Sequence, residues 1–199
     1  MKPSRILFPA LDGPARGLIE YLSGLVERIF PVPPQFRSGA ARDVAELSRL
    51  LTSARGERRK AYLNHPALLS AYLRYFLPWN VYRLVRLLSA LPLSLKDGDR
   101  IIDLGSGPLT LPLALWIARA DLRNTRLFFR CVDLSGAALT AGEKLFAGLT
   151  GDAGRAGGAI PGSGPASPAN AASPAKAAPP ETAWTIQKER GDFHAVRPS

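Results

Sequence analysis

The stretch Ile101-Ile102-Asp103-Leu104-Gly105-Ser106-Gly107-Pro108 reads as a short apolar strand that ends in a carboxylate and a glycine turn. Further along, Cys131-Val132-Asp133-Leu134-Ser135 is a second strand tip with its own carboxylate, followed by a helix-capping serine. Glycines let the backbone bend tightly and approach a ligand closely, while an acid ending the neighbouring strand accepts hydrogen bonds from a ribose diol. Together the two stretches outline two edges of one nucleoside-sized pocket.

The details favour one nucleoside over another. Asp103 stands two residues before the first glycine, where it faces the ammonium of a methionine moiety directly or through water and repels a pyrophosphate. The third position of the dinucleotide fingerprint G-x-G-x-x-G is Thr110 instead of glycine, so the close helix-to-strand packing of that fingerprint is not demanded. S-adenosylmethionine is therefore the expected cofactor, and an NAD(P)-dependent oxidoreductase is the less favoured reading.

Working outward, Lys96-Asp97-Gly98-Asp99 is a turn and residues 100–104 form the first strand. A helix is expected over 109–120 with Pro112 in its first turn, then a strand over 126–132. Ser135 caps a helix that carries Ala138, Leu139, Leu145 and Phe146. The order β, α, β, α implies an α/β fold with parallel strands joined by right-handed crossovers. Residues 183–188 have the pattern of a third strand, and Gly191-Asp192-Phe193 falls where a third cofactor loop would follow. Between these pieces, 25 of the thirty residues 151–180 are Gly, Ala, Pro or Ser, which predicts a flexible, disordered insertion over 151–182.

The first hundred residues read as helical. Asp12, Gly13 and Pro14 begin a helix with Leu18, Ile19, Leu22, Leu25, Val26 and Ile29 on one face, and Pro31, Pro33 and Pro34 end it. A second helix is expected over 41–54, and Asn80 is expected to cap a third that carries Val81, Leu84, Val85, Leu87 and Leu88. The chain thus divides into a helical N-terminal region, 1–97, and a partial Rossmann-like, S-adenosylmethionine-binding domain, 98–199. A doubly wound sheet of order 3-2-1-4-5 keeps strand 1 in the middle, and no strand 4 is legible here, so a truncated or split protein is expected.

Charge points to an anionic partner. The formal net charge is +10. Residues 1–100 carry 16 Lys and Arg against 8 Asp and Glu, whereas residues 101–199 carry 10 against 8, so the excess sits in the helical half. Cys131 is the only cysteine, which excludes an internal disulfide and points to a reducing, cytoplasmic setting. No apolar run is long enough to span a membrane.

Tyr62-Leu63-Asn64-His65-Pro66, then Tyr72-Leu73-Arg74-Tyr75-Phe76-Leu77-Pro78-Trp79-Asn80, ahead of Asp103-Leu104-Gly105-Ser106-Gly107-Pro108, resemble the methyltransferase-like family of small-ribosomal-subunit proteins of bacteria and mitochondria. The resemblance covers about 40–150 and 184–193. It implies a class I methyltransferase fold that binds S-adenosylmethionine and methylates, or helps assemble, the small ribosomal subunit by way of its RNA. It assigns Asp103, Gly105 and Gly107 to the methionine end, Asp133 to the ribose, and Asp192 with Phe193 to the adenine, and Ser106 within the turn is counted with the cofactor-binding residues. The family's later substrate-side motif and its C-terminal cysteine cluster, which can hold an iron–sulfur group, have no counterpart in these 199 residues, so catalytic and metal-binding residues are not carried over.

Other residues have two readings each. Arg55, Arg58, Arg59 and Lys60 form either a solvated helix start or RNA phosphate contacts. Tyr62, Tyr72, Tyr75, Phe76 and Trp79 are spaced for core packing in preference to base stacking. His65 suits helix entry, His194 has no companions for a metal set, and Cys131 is expected to be a buried apolar residue.

Overall fold

Trp184 anchors the third strand of a parallel sheet, in a cluster of rings drawn from the strand beside it and the two helices that pack over them. Its ring centroid lies 5.1 Å from that of Trp116, 5.0 Å from Phe129 and 6.0 Å from Phe146. Its indole N–H donates to the Leu122 carbonyl at 2.9 Å, so the polar end of a buried ring is satisfied. The computed structural model describes residues 10–54, 56, 60–155 and 183–192. The strands are β1 (Arg100–Leu104), β2 (Leu127–Asp133) and β3 (Trp184–Arg190), all parallel and in the order β1-β2-β3. The fold is α/β, with a helical region leading into the sheet.

Helices α1 (Gly13–Ile29), α2 (Pro34–Arg37) and α3 (Ala40–Leu51) come first. Asp12 caps α1 by accepting from the Ala15 N–H at 2.7 Å, and the stripe Leu22, Leu25 and Val26 is buried. Helix α4 (Pro66–Ala71) runs through a π turn (Tyr72–Phe76) into α5 (Leu77–Ala90). Pro78 has no N–H to offer the turn before it and crowds the preceding carbonyls, and a wider turn relieves both problems. The expected role of Asn80 as a cap is therefore corrected: it lies inside α5, and its side chain donates to the Tyr72 hydroxyl at 3.1 Å.

Helix α6 (Thr110–Ala118) is apolar on every side, because it is sandwiched between α5 and the sheet layer. Leu109 does not belong to it as expected; it is a buried residue with a left-handed φ of 55° that turns the chain into the helix. Helix α7 (Gly136–Arg155) is capped by Ser135, whose Oγ accepts from the Ala138 N–H at 3.1 Å. It continues through 151–155, so the start expected for the insertion is corrected, while 156–182 lie outside the described residues.

Side chains from α1, α5, α6 and α7 share one apolar core with Ile101, Leu127, Phe129, Cys131, Trp184 and Ile186 on one face of the sheet. The other face carries Ile102, Leu104 and Phe128, which stay 44%, 51% and 45% exposed. Parallel sheets are ordinarily covered on both faces, and here β1 is also an edge strand among the described residues. Among the described residues no helix is long and apolar enough to cross a membrane.

Two outcomes follow. A Cβ on Gly142 of α7 would stand 2.3 Å from the carbonyl carbon of Pro108, so Gly142→Ala should destabilise the fold by about 1–3 kcal/mol; an unchanged urea midpoint would show that α7 does not seat on the glycine turn. The face that the described residues leave half exposed should make the chain self-associate with rising concentration, and Ile102→Lys should weaken this in sedimentation velocity.

Candidate functional site

Register sets the site. Asp103 of β1 pairs with Cys131 of β2, so Asp133 lies two residues further along the adjacent strand and on the same face. The chain leaving β1 hooks back over β2: the N–H groups of Gly105 and Ser106 donate to the Val132 carbonyl at 2.9 and 3.1 Å. Gly105 and Gly107 take φ of 75° and 53°, a region that glycine enters without a Cβ penalty. The Gly107 N–H then donates to Asp133 Oδ2 at 2.8 Å, and the Ser135 N–H donates to Asp133 Oδ1 at 2.7 Å. One carboxylate thus ties the glycine turn to the start of α7.

A cleft of about 360 Å³ opens beside this turn, lined by Tyr72, Asn80, Arg83, Asp103, Gly105, Ser106, Thr110 and Leu111 among others. That volume falls at the lower end of small-molecule sites, about 300–1,000 Å³. The N-terminus of α6 borders it and contributes a partial positive charge. Asp103 Oδ2 is buried with no hydrogen-bond partner among the described residues. Burial pushes the Asp103 carboxyl above its ordinary value of 3.8, with the Ser106 hydroxyl opposing the rise and the Asp133 charge adding to it. An incompletely satisfied, partly desolvated carboxylate at a cleft is what a cationic ligand group relieves.

The structure brings Asp103, Gly105, Ser106, Gly107 and Asp133 together, but Asp133 spends its first hydrogen bonds on backbone and does not line the cleft itself. Asp192 follows β3, on the far side of β2 from Asp103, and its Oδ2 lies 3.7 Å from Lys60 Nζ. A sequence-expected RNA contact and a sequence-expected adenine contact therefore meet each other, in an ion pair that is too exposed to contribute much stability. Phe193, Arg55, Arg58 and Arg59 lie outside the described residues.

Sequence reasoning missed several neighbours. Asn64, in a short 3-10 turn, accepts from the Ser135 hydroxyl at 2.8 Å and from the Ala137 N–H at 3.3 Å, fastening the helical region to α7. Tyr72 and Asn80 face the cleft as a pair; burial holds the Tyr72 phenol above its ordinary value, against its hydrogen bonds with Asn80 and Thr110. An amide inside an apolar helix and an amide just before His-Pro were the available signals. Cys131 is buried as expected, and burial drives its thiol up to about 12, so it stays protonated and unreactive.

A larger groove, about 1,380 Å³, lies where Phe30, Phe36, Val44, Leu69 and Leu73 come together. Its walls are mostly apolar, and of its two arginines, Arg42 and Arg74, the second is tied to Glu27, Ser70 and the Phe30 carbonyl, so volume alone does not make it the reactive site. Among the described residues no group of three or more His, Cys, Asp or Glu can hold a metal ion. No family model, curated protein or solved structure matches this chain.

Because the raised carboxyl favours its neutral form in the fold, its stabilising contribution is complete below the unfolded value and is lost as pH rises through the folded one. Asp103→Asn should therefore be more stable than the parent chain at neutral pH, and the difference in urea midpoint should shrink as pH falls toward 3.8. A constant difference across that range would refute the assignment.

Proposed function

We propose that the strand tips bind S-adenosylmethionine in a Rossmann-like, class I methyltransferase arrangement, and that the protein acts on ribosomal RNA or on assembly of the small ribosomal subunit. The observation that carries the cofactor is the incompletely partnered Asp103 carboxylate, next to a glycine turn and one strand from Asp133. The residues present fit this group. The methionine ammonium offsets the buried charge of Asp103, whereas a pyrophosphate at the same place would add a second negative charge. Each oxygen of Asp133 accepts one backbone N–H and keeps a lone pair for a ribose hydroxyl.

When bound, S-adenosylmethionine supplies an electrophilic methyl group on a sulfonium. The chain's own part is to orient it: the glycine turn brings backbone close, α6 presents its N-terminal end, and the capped Tyr72–Asn80 pair narrows the cleft. The resemblance of residues 62–66 and 72–80 to the small-subunit methyltransferase-like family supports the ribosomal reading, as does the basic excess of the helical half.

Calorimetry with S-adenosylhomocysteine should give binding that Asp103→Asn weakens by at least about tenfold, the loss of one charge-assisted contact. Affinity should fall in acid, beginning above the ordinary carboxylate value because the carboxyl is raised. Binding of NAD instead would replace the reading with hydride chemistry. Methyl transfer to isolated small-subunit RNA then separates an enzyme from an assembly factor that keeps the cofactor without using it.

A further inference from the structure

Between residues 61 and 96 the chain has Arg74, Arg83, Arg86 and Lys96 and not one Asp or Glu. Arg74 is consumed by Glu27 and by the Phe30 carbonyl. Each cation of α5 pairs with a ring one turn before it. The Arg83 guanidinium lies 5.8 Å from the Trp79 ring centroid and that of Arg86 lies 5.7 Å from Tyr82, while Trp79 and Tyr82 meet edge to face at 5.8 Å.

Large rings seldom face water without a use. Trp79 is 51% and Tyr75 50% exposed; Trp79 and Arg83 stand four residues apart on one side of α5, and Tyr75 precedes them in the wide turn, at the edge of the larger groove. The same Arg83 lines the cleft that holds Asp103. The row therefore starts on open surface and ends at the candidate cofactor site. Packing buries the aliphatic residues beneath, Leu77, Val81 and Val85, whereas Tyr75 and Trp79 meet Phe76 and Tyr82 edge to face at 5.1 and 5.8 Å and leave half of each ring exposed.

We infer that Tyr75, Trp79 and Arg83 form a track for single-stranded RNA, with unpaired bases stacking on the rings and phosphates meeting the arginines, leading a target nucleotide to the cleft. This rests on the proposed methyl-transfer reading and names the form of its substrate. Exposed rings beside cations, on a stretch 61–96 that contributes no acidic residue of its own, suit a strand that offers both π faces and negative charge. A duplex hides its bases from such rings, and an apolar protein surface gains nothing from the arginines.

The chain has three tryptophans, and Trp116 and Trp184 are buried at 7% and 4% exposure, so quenching of fluorescence by RNA reports chiefly on Trp79. Unlabelled single-stranded 12-mer RNA added to the full chain should quench it, and a duplex of equal length should not. Anisotropy of the labelled 12-mer should show affinity falling about tenfold in Trp79→Ala and largely restored in Trp79→Phe. Arg83→Gln should flatten the plot of log affinity against log salt by about 0.7, one phosphate contact on a single strand.

Equal binding of duplex, or affinity unmoved in Trp79→Ala, overturns the track. So does an RNA-silent chain whose self-association is abolished by Trp79→Ala, which would make this row an interface between copies. Calorimetry with S-adenosylhomocysteine, run without RNA, keeps the two ideas apart. Loss of cofactor binding with RNA binding intact removes the methyl-transfer reading and leaves the track, and the converse result removes only the track.

Discussion

Asp133 holds three pieces of chain with one carboxylate: the tip of β2, the glycine turn after β1, and the first residues of α7. Hydrogen bonds to a charged acceptor are worth about 1.5–3 kcal/mol each, and removing the acceptor would leave two backbone donors stranded at a crowded junction. The geometry of the cleft follows from this knot. The turn bends where it does because Gly107 is pulled toward β2, and that pull leaves Asp103 facing the opening beneath Tyr72.

Close packing and electrostatics act in opposite senses around the same loop. Gly142 lets α7 rest directly on the Pro108 backbone, and Leu109 is buried in a conformation that side chains rarely adopt, so the loop is rigidly seated. Asp103, in contrast, sits where burial disfavours its charge. A site that is well packed yet electrostatically unsatisfied is pre-organised for an opposite charge, which distinguishes it from the wider groove beside α2 and α3.

Strands and their glycine turn were legible because the signal is local: residues 100–104 form the predicted strand, Ser135 caps the predicted helix, and the alternation in β2 matches its buried face. Asp12 likewise caps the first helix as its position implies. What escaped depends on distant partners. Asn80 has the chemistry of a cap, but Pro78 and the wide turn before it put Asn80 within a longer helix, where its partner is Tyr72. Asn64 before His65-Pro66 marks a polar turn, but its partner Ser135 lies 71 residues away, which local sequence does not reveal. The low-complexity composition after 150 concealed the last turn of α7, whose Gly151, Ala153 and Gly154 read as linker but continue the helix to Arg155.

The wide turn Tyr72–Phe76 has a geometric effect beyond accommodating a proline. One additional residue in a helix rotates everything after it by about 100° relative to an unbroken one. The first half of the rod can therefore aim Leu69 and Leu73 at its own neighbours, while the second aims Leu77, Val81 and Val85 inward and Trp79 and Arg83 outward. The five residues thus set the angle between the rod's two halves, while Tyr72, Leu73 and Arg74 each keep a contact of their own.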